Sequence, residues 1–261
     1  MADSEGSEPE ITVEEGLSAA TLAALQAHLA TQAEEAEQQD GESLVKENFG
    51  MSQFWYDDDT AQAIAQELLL QCPEEGQIAI ISAPSVMHAL KEIAPEKENV
   101  VLLEYDRRFD ESYPGKFHYY DFNHPAEISD ALHQRFDVIL ADPPYLTEDT
   151  IDAFYSTIKL MCKGRLQEST NKENFAVNEL VDVHSTKVLF VTAPKNSNYL
   201  WQKYGMGTTP LTLYFASKFA TPMRCHSNYR ENGFGGWDEV HIDDENNELQ
   251  PADLSSSALS S

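Results

Sequence analysis

Short apolar runs recur through the middle of this chain, each followed by a stretch with helical spacing, and this alternation limits the possible folds more than any other feature. Ile78-Ala79-Ile80-Ile81, Val100-Val101-Leu102-Leu103, Asp137-Val138-Ile139-Leu140-Ala141 and Lys187 to Thr192 are continuous or nearly continuous in apolar residues. That is the pattern of strands covered on both faces, as in parallel sheets. Phe117 to Asp121 is a further strand-like run. Between the runs, Asp57-Asp58-Asp59-Thr60 starts a helix carrying Ala61, Ile64, Ala65, Leu68 and Leu69 on one face. Ser85 to Ala94 continues the series with Met87, Leu90 and Ala94 facing inward. Pro125 to Gln134 is expected to be helical, with Pro125 in its first turn. Thr147 caps a helix whose stripe is Ile151, Phe154, Tyr155, Ile158 and Cys162, and Gly164 stops it. Asn196 to Tyr204 is expected to be the last helix. Two strands, about Leu211 to Phe215 and Met223 to Tyr229, then follow with no helix between them. Seven strands in this order predict an α/β domain with a mostly parallel seven-stranded sheet, helices on both faces and a C-terminal antiparallel hairpin.

Charge separates the domain from its ends. Residues 1–50 hold twelve acids and one base, and residues 230–261 hold eight acids and one base, so the two ends carry −18 of a net −28. The expected organisation is an acidic N-terminal segment with a helix near Leu17 to Gln39 over 1–43, a domain over 44–230, and an acidic, Ser-rich disordered tail over 231–261. Within the domain, residues 167–184 are polar and break the strand–helix rhythm, as a surface insertion would. Nucleic-acid binding rests on Lys and Arg displacing counterions at phosphates. A chain with 17 such residues against 45 acids is better matched to a basic protein partner. Cys72, Cys162 and Cys225 are odd in number and far apart, which gives no disulfide framework or zinc knuckle. The eight histidines show no paired metal-ligand spacing, so no metal is expected. No run approaches the length of a membrane span, and the chain starts without a basic, apolar leader, so a soluble intracellular protein is expected.

One stretch carries chemistry. Phe136 to Ala141 ends in Asp142-Pro143-Pro144-Tyr145, so a buried strand delivers an acid to its carboxyl end, where open α/β sheets hold their ligands. The two prolines remove backbone donors and stiffen the loop. Asp142 and the Pro143 carbonyl are placed to accept hydrogen bonds from an attacking N–H, and Tyr145 offers an aromatic face. A site of this kind aims a nitrogen lone pair at an electrophilic methyl, and positioning supplies much of the rate. With the strand order, this predicts a Rossmann-like class I methyltransferase using S-adenosylmethionine. The acceptor is either a lysine of a protein or the N6 of adenine, since both present a nitrogen to the same loop. For the cofactor, Glu104 or Asp106 at the end of the second strand is expected to hold the ribose hydroxyls. Asp121 and Phe122 after the third strand are expected to bracket the adenine, unless Phe122 is core. The first loop, Ser82-Ala83-Pro84-Ser85, lacks the glycines that usually let the methionine moiety of the cofactor approach closely. Phe54, Trp55 and Tyr56 are candidate walls of a substrate pocket, a cofactor lid, or core.

These residues together resemble one family, the elongation factor 1-alpha lysine methyltransferase 1 type, formerly grouped with N6-adenine DNA methyltransferases because of its motif. The resemblance is carried by Ser52-Gln53-Phe54-Trp55-Tyr56, Ser82-Ala83-Pro84-Ser85-Val86, Glu104-Tyr105-Asp106-Arg107-Arg108-Phe109, Ala141-Asp142-Pro143-Pro144-Tyr145-Leu146, and Arg224-Cys225 with Asn228-Tyr229. It spans about Leu44 to Tyr229, and the glycine-free first loop is itself a feature of the family. The resemblance implies a cytoplasmic enzyme that methylates a lysine of elongation factor 1-alpha from S-adenosylmethionine; a monomer is expected, and the acidic charge argues against nucleic acid as substrate. A catalytically inactive binding module on the same fold is the alternative. Residues 167–184 and the acidic C-terminal tail depart from the family pattern.

Overall fold

A computed structural model describes residues 53–164, 186–216 and 222–238, all within one compact unit that begins at Glu47. The helix expected near 17–39 and the insertion at 167–184 lie outside the described residues. The elements, in chain order, are α1 (Asp58–Gln71), β1 (Ile78–Ile81), α2 (Pro84–Ile93), β2 (Val100–Glu104), α3 (Phe109–Ser112), β3 (Phe117–Tyr119), β4 (Val138–Ala141), α4 (Glu148–Met161), β5 (Lys187–Thr192), α5 (Ser197–Tyr204), β6 (Gly207–Thr212) and β7 (Arg224–Ser227).

The strands form one seven-stranded sheet in the order β3-β2-β1-β4-β5-β7-β6. β1 to β5 pair in parallel, and β7 runs antiparallel to both β5 and β6. The order reverses where β1 meets β4, with Ile78 opposite Val138 and Ile81 opposite Ala141. Such a reversal opens a crevice at the carboxyl ends of the two strands, because the connections leave to opposite faces. The strands are short and wholly apolar at this point, and all four residues of both β1 and β4 are buried.

Period-two alternation divides the apolar residues between two layers. Ala79, Ile81, Ile139, Ala141, Val188 and Phe190 join a core with Ile151, Phe154, Tyr155 and Ile158 of α4 and Leu200 and Tyr204 of α5. Ile78, Ile80, Val138 and Leu140 are equally buried on the opposite face, where α1 and α2 pack together and against β1, β2 and β4. The helix starts follow local chemistry. Asp57 accepts from the Thr60 amide at 2.9 Å, and Asp58 and Asp59 favour the positive end of α1. Thr147 caps α4 through the Thr150 amide. Among the described residues no helix is long and apolar enough to cross a membrane.

Three expectations are corrected and one element is added. Pro125 to Gln134 is a series of turns with a single 3-10 turn at Asp130–Leu132. Only Ile128 and Leu132 of this stretch join the core, and the Ser129 hydroxyl takes the Ala131 amide, which starts a new turn at the middle of the expected helix. β6 begins and ends earlier than Leu211 to Phe215, because Phe215 leaves the sheet to bridge Tyr56. α3 was not expected from sequence. Residues 231–238, placed by composition in the tail, pack on the domain: the Gly233 amide donates to Glu67 at 2.7 Å, Trp237 meets Trp201 edge-on at 5.5 Å, and the Asp238 amide donates to the Thr208 carbonyl. A side chain at Gly207 would collide with the Trp237 ring, so glycine is required there.

Candidate active site

A cavity of about 430 Å³ lies along the carboxyl ends of β1, β2, β3 and β4, within the size range of cofactor sites. Its walls come from the loops that follow those strands: Ser82-Ala83-Pro84-Ser85, Glu104-Tyr105, Tyr120 to Asn123 and Asp142 to Leu146. Gln53, Phe54, Trp55, Phe215 and Met223 complete the walls from distant parts of the chain. Among the described residues three acids and no lysine or arginine line it. The cavity therefore favours a ligand with positive charge and planar, apolar surface.

The 142–146 loop is held at both ends. The Asp142 amide donates to the Ile81 carbonyl at 3.0 Å, extending the β1–β4 ladder by one residue. At the other end Asn196, buried before α5, donates from Nδ2 to the Leu146 carbonyl at 3.2 Å and to Thr192 Oγ1 at 2.9 Å. Pro143 is buried between these anchors, whereas Tyr145 is 50% exposed at the mouth. The Tyr145 ring meets Phe122 edge-on at 5.7 Å, and Phe122 in turn stacks on Phe154 of the core. Asp142 keeps part of its surface on the cavity. Burial by the surrounding protein and the nearby charge of Glu104 push its carboxyl up to about 7, against the opposing hydrogen bond from Tyr56.

Glu104 and Asp106 have different environments. Glu104 lines the cavity at 6% exposure, and its Oε1 accepts the Tyr105 and Asp106 amides at 3.0 and 3.1 Å. Burial pushes it up to about 7. Asp106 is 5% exposed and does not line the cavity. Arg108 grips it through Nε and Nη2, and Gln53 donates to it at 3.1 Å. Despite its burial, these donors hold its carboxyl below the usual range. The strand ends at Glu104, so the two side chains do not share a pleat, and Asp106 serves as an anchor for Gln53 and the loop.

The first loop reaches its shape without glycine. Ser82 has φ 59°, the left-handed region that costs a residue with a Cβ roughly 1–2 kcal/mol. The chain thus turns sharply after β1, and α2 opens at Pro84 with its N-terminus at the cavity, a position suited to a carboxylate. Asp121 also lines the cavity; its carboxyl accepts the Asn123 amide and is held below its usual range. Phe54 and Trp55 line the cavity, but Tyr56 does not. It is 4% exposed, lies behind Asp142, and donates its hydroxyl to Asp142 Oδ2 at 2.7 Å. Asn196, Tyr120, Phe215 and Met223 carried no signal in the sequence, because only tertiary pairing brings them to the site.

The family described as probable N6-adenine methyltransferase matches residues 47–231. EEF1A lysine methyltransferase 1 of Mus musculus is 40% identical over 156 residues, covering 58% of this chain and 72% of the relative. Protein-lysine N-methyltransferase EFM5 of Saccharomyces cerevisiae is 31% identical over 199 residues, covering 73% and 75%. Protein-lysine N-methyltransferase M142.8 of Caenorhabditis elegans is 30% identical over 224 residues, covering 82% and 94%.

Proposed function

The chain belongs to the EEF1A lysine methyltransferase 1 family of protein-lysine N-methyltransferases, and on that premise we propose that it transfers methyl groups from S-adenosylmethionine to a lysine of translation elongation factor 1-alpha in the cytoplasm. The observation that carries this reading is the Asp142-Pro143-Pro144-Tyr145 loop, clamped at both ends at the mouth of an acidic, aromatic cavity.

The residues present fit the cofactor. Glu104 is the acid for the ribose hydroxyls, Asp121 and Phe122 serve the adenine, and Ser82-Ala83-Pro84 leads the amino-acid end to the α2 N-terminus. The acidic lining suits a sulfonium cation. When bound, S-adenosylmethionine supplies a methyl group activated by positively charged sulfur.

The protein's task is to present a neutral amine. A lysine ammonium has no lone pair, and its ordinary pKa of about 10.4 keeps it charged. Entry between Tyr145, Phe54 and Phe122 strips water from the ammonium, whose proton passes to solvent as the amine enters. Asp142 then accepts a hydrogen bond from the amine, as does the Pro143 carbonyl, which together aim the lone pair into the cavity. The family description names adenine, but a chain of net charge −28 is poorly matched to a polyanion. A basic protein substrate fits the charge.

Mass spectrometry of purified elongation factor 1-alpha after incubation with enzyme and S-adenosylmethionine tests the reading. Lysine methylation is expected with the wild type and a rate lower by on the order of a hundredfold with Asp142→Ala. An unmethylated substrate, or an Asp142→Ala enzyme at the wild-type rate, contradicts it.

A further inference from the structure

Residues 55–57 pair antiparallel with residues 214–216. The Ala216 amide donates to the Trp55 carbonyl at 2.9 Å, the Asp57 amide donates to the Tyr214 carbonyl at 3.1 Å, and Tyr56 bridges Phe215. This short ladder turns Tyr56 inward, with its ring 5.1 Å from that of Phe215. Its hydroxyl donates to Asp142 Oδ2 at 2.7 Å across 86 residues of sequence. Among the described residues this is the side-chain hydrogen bond that the Asp142 carboxylate makes, and it leaves Oδ1 for a ligand.

We infer that Tyr56 is a positioning residue for methyl transfer: its hydroxyl fixes the orientation of the Asp142 carboxylate and keeps that group a hydrogen-bond acceptor toward the substrate nitrogen. The inference rests on the reading of Asp142 as the group that meets the acceptor amine. A carboxylate on a short side chain turns about two bonds, and a single strong donor to one oxygen selects the rotamer in which the other faces the cavity. The charged and titratable groups around Asp142 leave that work to Tyr56. Glu104 at the end of β2 pushes the Asp142 carboxyl up, as burial does, while Tyr56 pulls it down. Cys225 on β7 faces the pair, and burial pushes its thiol up to about 12, so it stays neutral. Burial and the Asp142 charge raise the Tyr56 phenol well above its usual value, so it remains a donor over any working pH.

Tyr56→Phe keeps the ring against Phe215 and removes only the hydroxyl. The expected result is a kcat lower by roughly tenfold or more, with S-adenosylhomocysteine affinity within about twofold of wild type. The acidic limb of the kcat–pH profile moves to higher pH by about one unit, because the lost donor favoured the ionised carboxylate. In an Asp142→Asn background the same change should cost nothing further. Wild-type kcat and profile in Tyr56→Phe, or an equal loss in both backgrounds, overturn the inference while Asp142→Asn stays slow. Wild-type turnover by Asp142→Asn instead overturns the reading of Asp142 and this inference with it. Should Tyr56→Phe fail to fold, 3-fluorotyrosine at this position supplies a more acidic hydroxyl of nearly the same size. Its limb is expected to shift to lower pH, and an unmoved limb overturns the inference.

Discussion

Replacing Glu104 by glutamine should make the protein more stable and a poorer cofactor binder at the same time. In the folded chain burial holds this carboxyl at about 7 against an ordinary 4.5. The raised folded value means that the folded state holds its proton more tightly than the unfolded one. The group's favourable contribution is therefore complete below the unfolded value and is lost as pH rises through about 7. Above that pH the ionised group costs the fold roughly 3 kcal/mol. Glutamine is the same size and its oxygen still accepts the Tyr105 and Asp106 amides, but it carries no charge to bury. At about pH 8 the variant should melt higher by up to roughly 6–12 °C, and the gap should narrow as pH falls toward the ordinary carboxyl range. Its affinity for S-adenosylhomocysteine should fall at least about tenfold, since a charged acceptor of ribose hydroxyls contributes roughly 1.5–3 kcal/mol per bond. Thermal melting across pH and isothermal titration measure the two effects on the same samples. Unchanged cofactor affinity, or a variant that melts lower at about pH 8, refutes the reasoning.

Ser82→Gly should raise stability by about 0.5–1 kcal/mol, because relief of a left-handed φ exceeds the added chain entropy of glycine; a lower melting temperature contradicts this. A chain ending at Tyr229 should lose about 3 kcal/mol or more relative to one ending at Asp238, since it forfeits the Trp237 contact with Trp201 and the Gly233 amide on Glu67. Equal denaturant midpoints for the two would show that residues 231–238 add nothing. A chain limited to 47–238 should keep its cofactor affinity but bind its basic protein substrate less well at low salt, and the difference from full length should vanish as salt rises. A salt-independent difference would exclude steering by the acidic ends.

The sheet was legible because its signal is local. Each of β1, β2, β4 and β5 is a run of apolar residues with no polar interruption beyond its ends, and the Asp57 and Thr147 caps mark where helices start. The Asp142 loop was legible for the same reason, since its strand, acid and prolines are contiguous. The failures share an opposite cause. Pro125 to Gln134 has helix-forming residues and a suitable first turn, yet only two of its side chains reach the core, so packing did not enforce the helix. Glu104 and Asp106 look alike two residues apart, and the grip of Arg108 on Asp106 separates an acid that lines the cavity from one that anchors a loop. Tyr56 looked like a wall within an aromatic triplet. Its true neighbour was set by pairing with residues 214–216, some 160 positions away.

The nature of the methyl acceptor is the claim on which the account turns. Labelled S-adenosylmethionine and the enzyme, incubated with cell extract, should mark a single protein band at the size of elongation factor 1-alpha. The label should survive nuclease, disappear with protease, and be absent when Asp142→Ala replaces the wild type. Label that survives protease and is lost with nuclease would place the methyl group on nucleic acid and contradict the account.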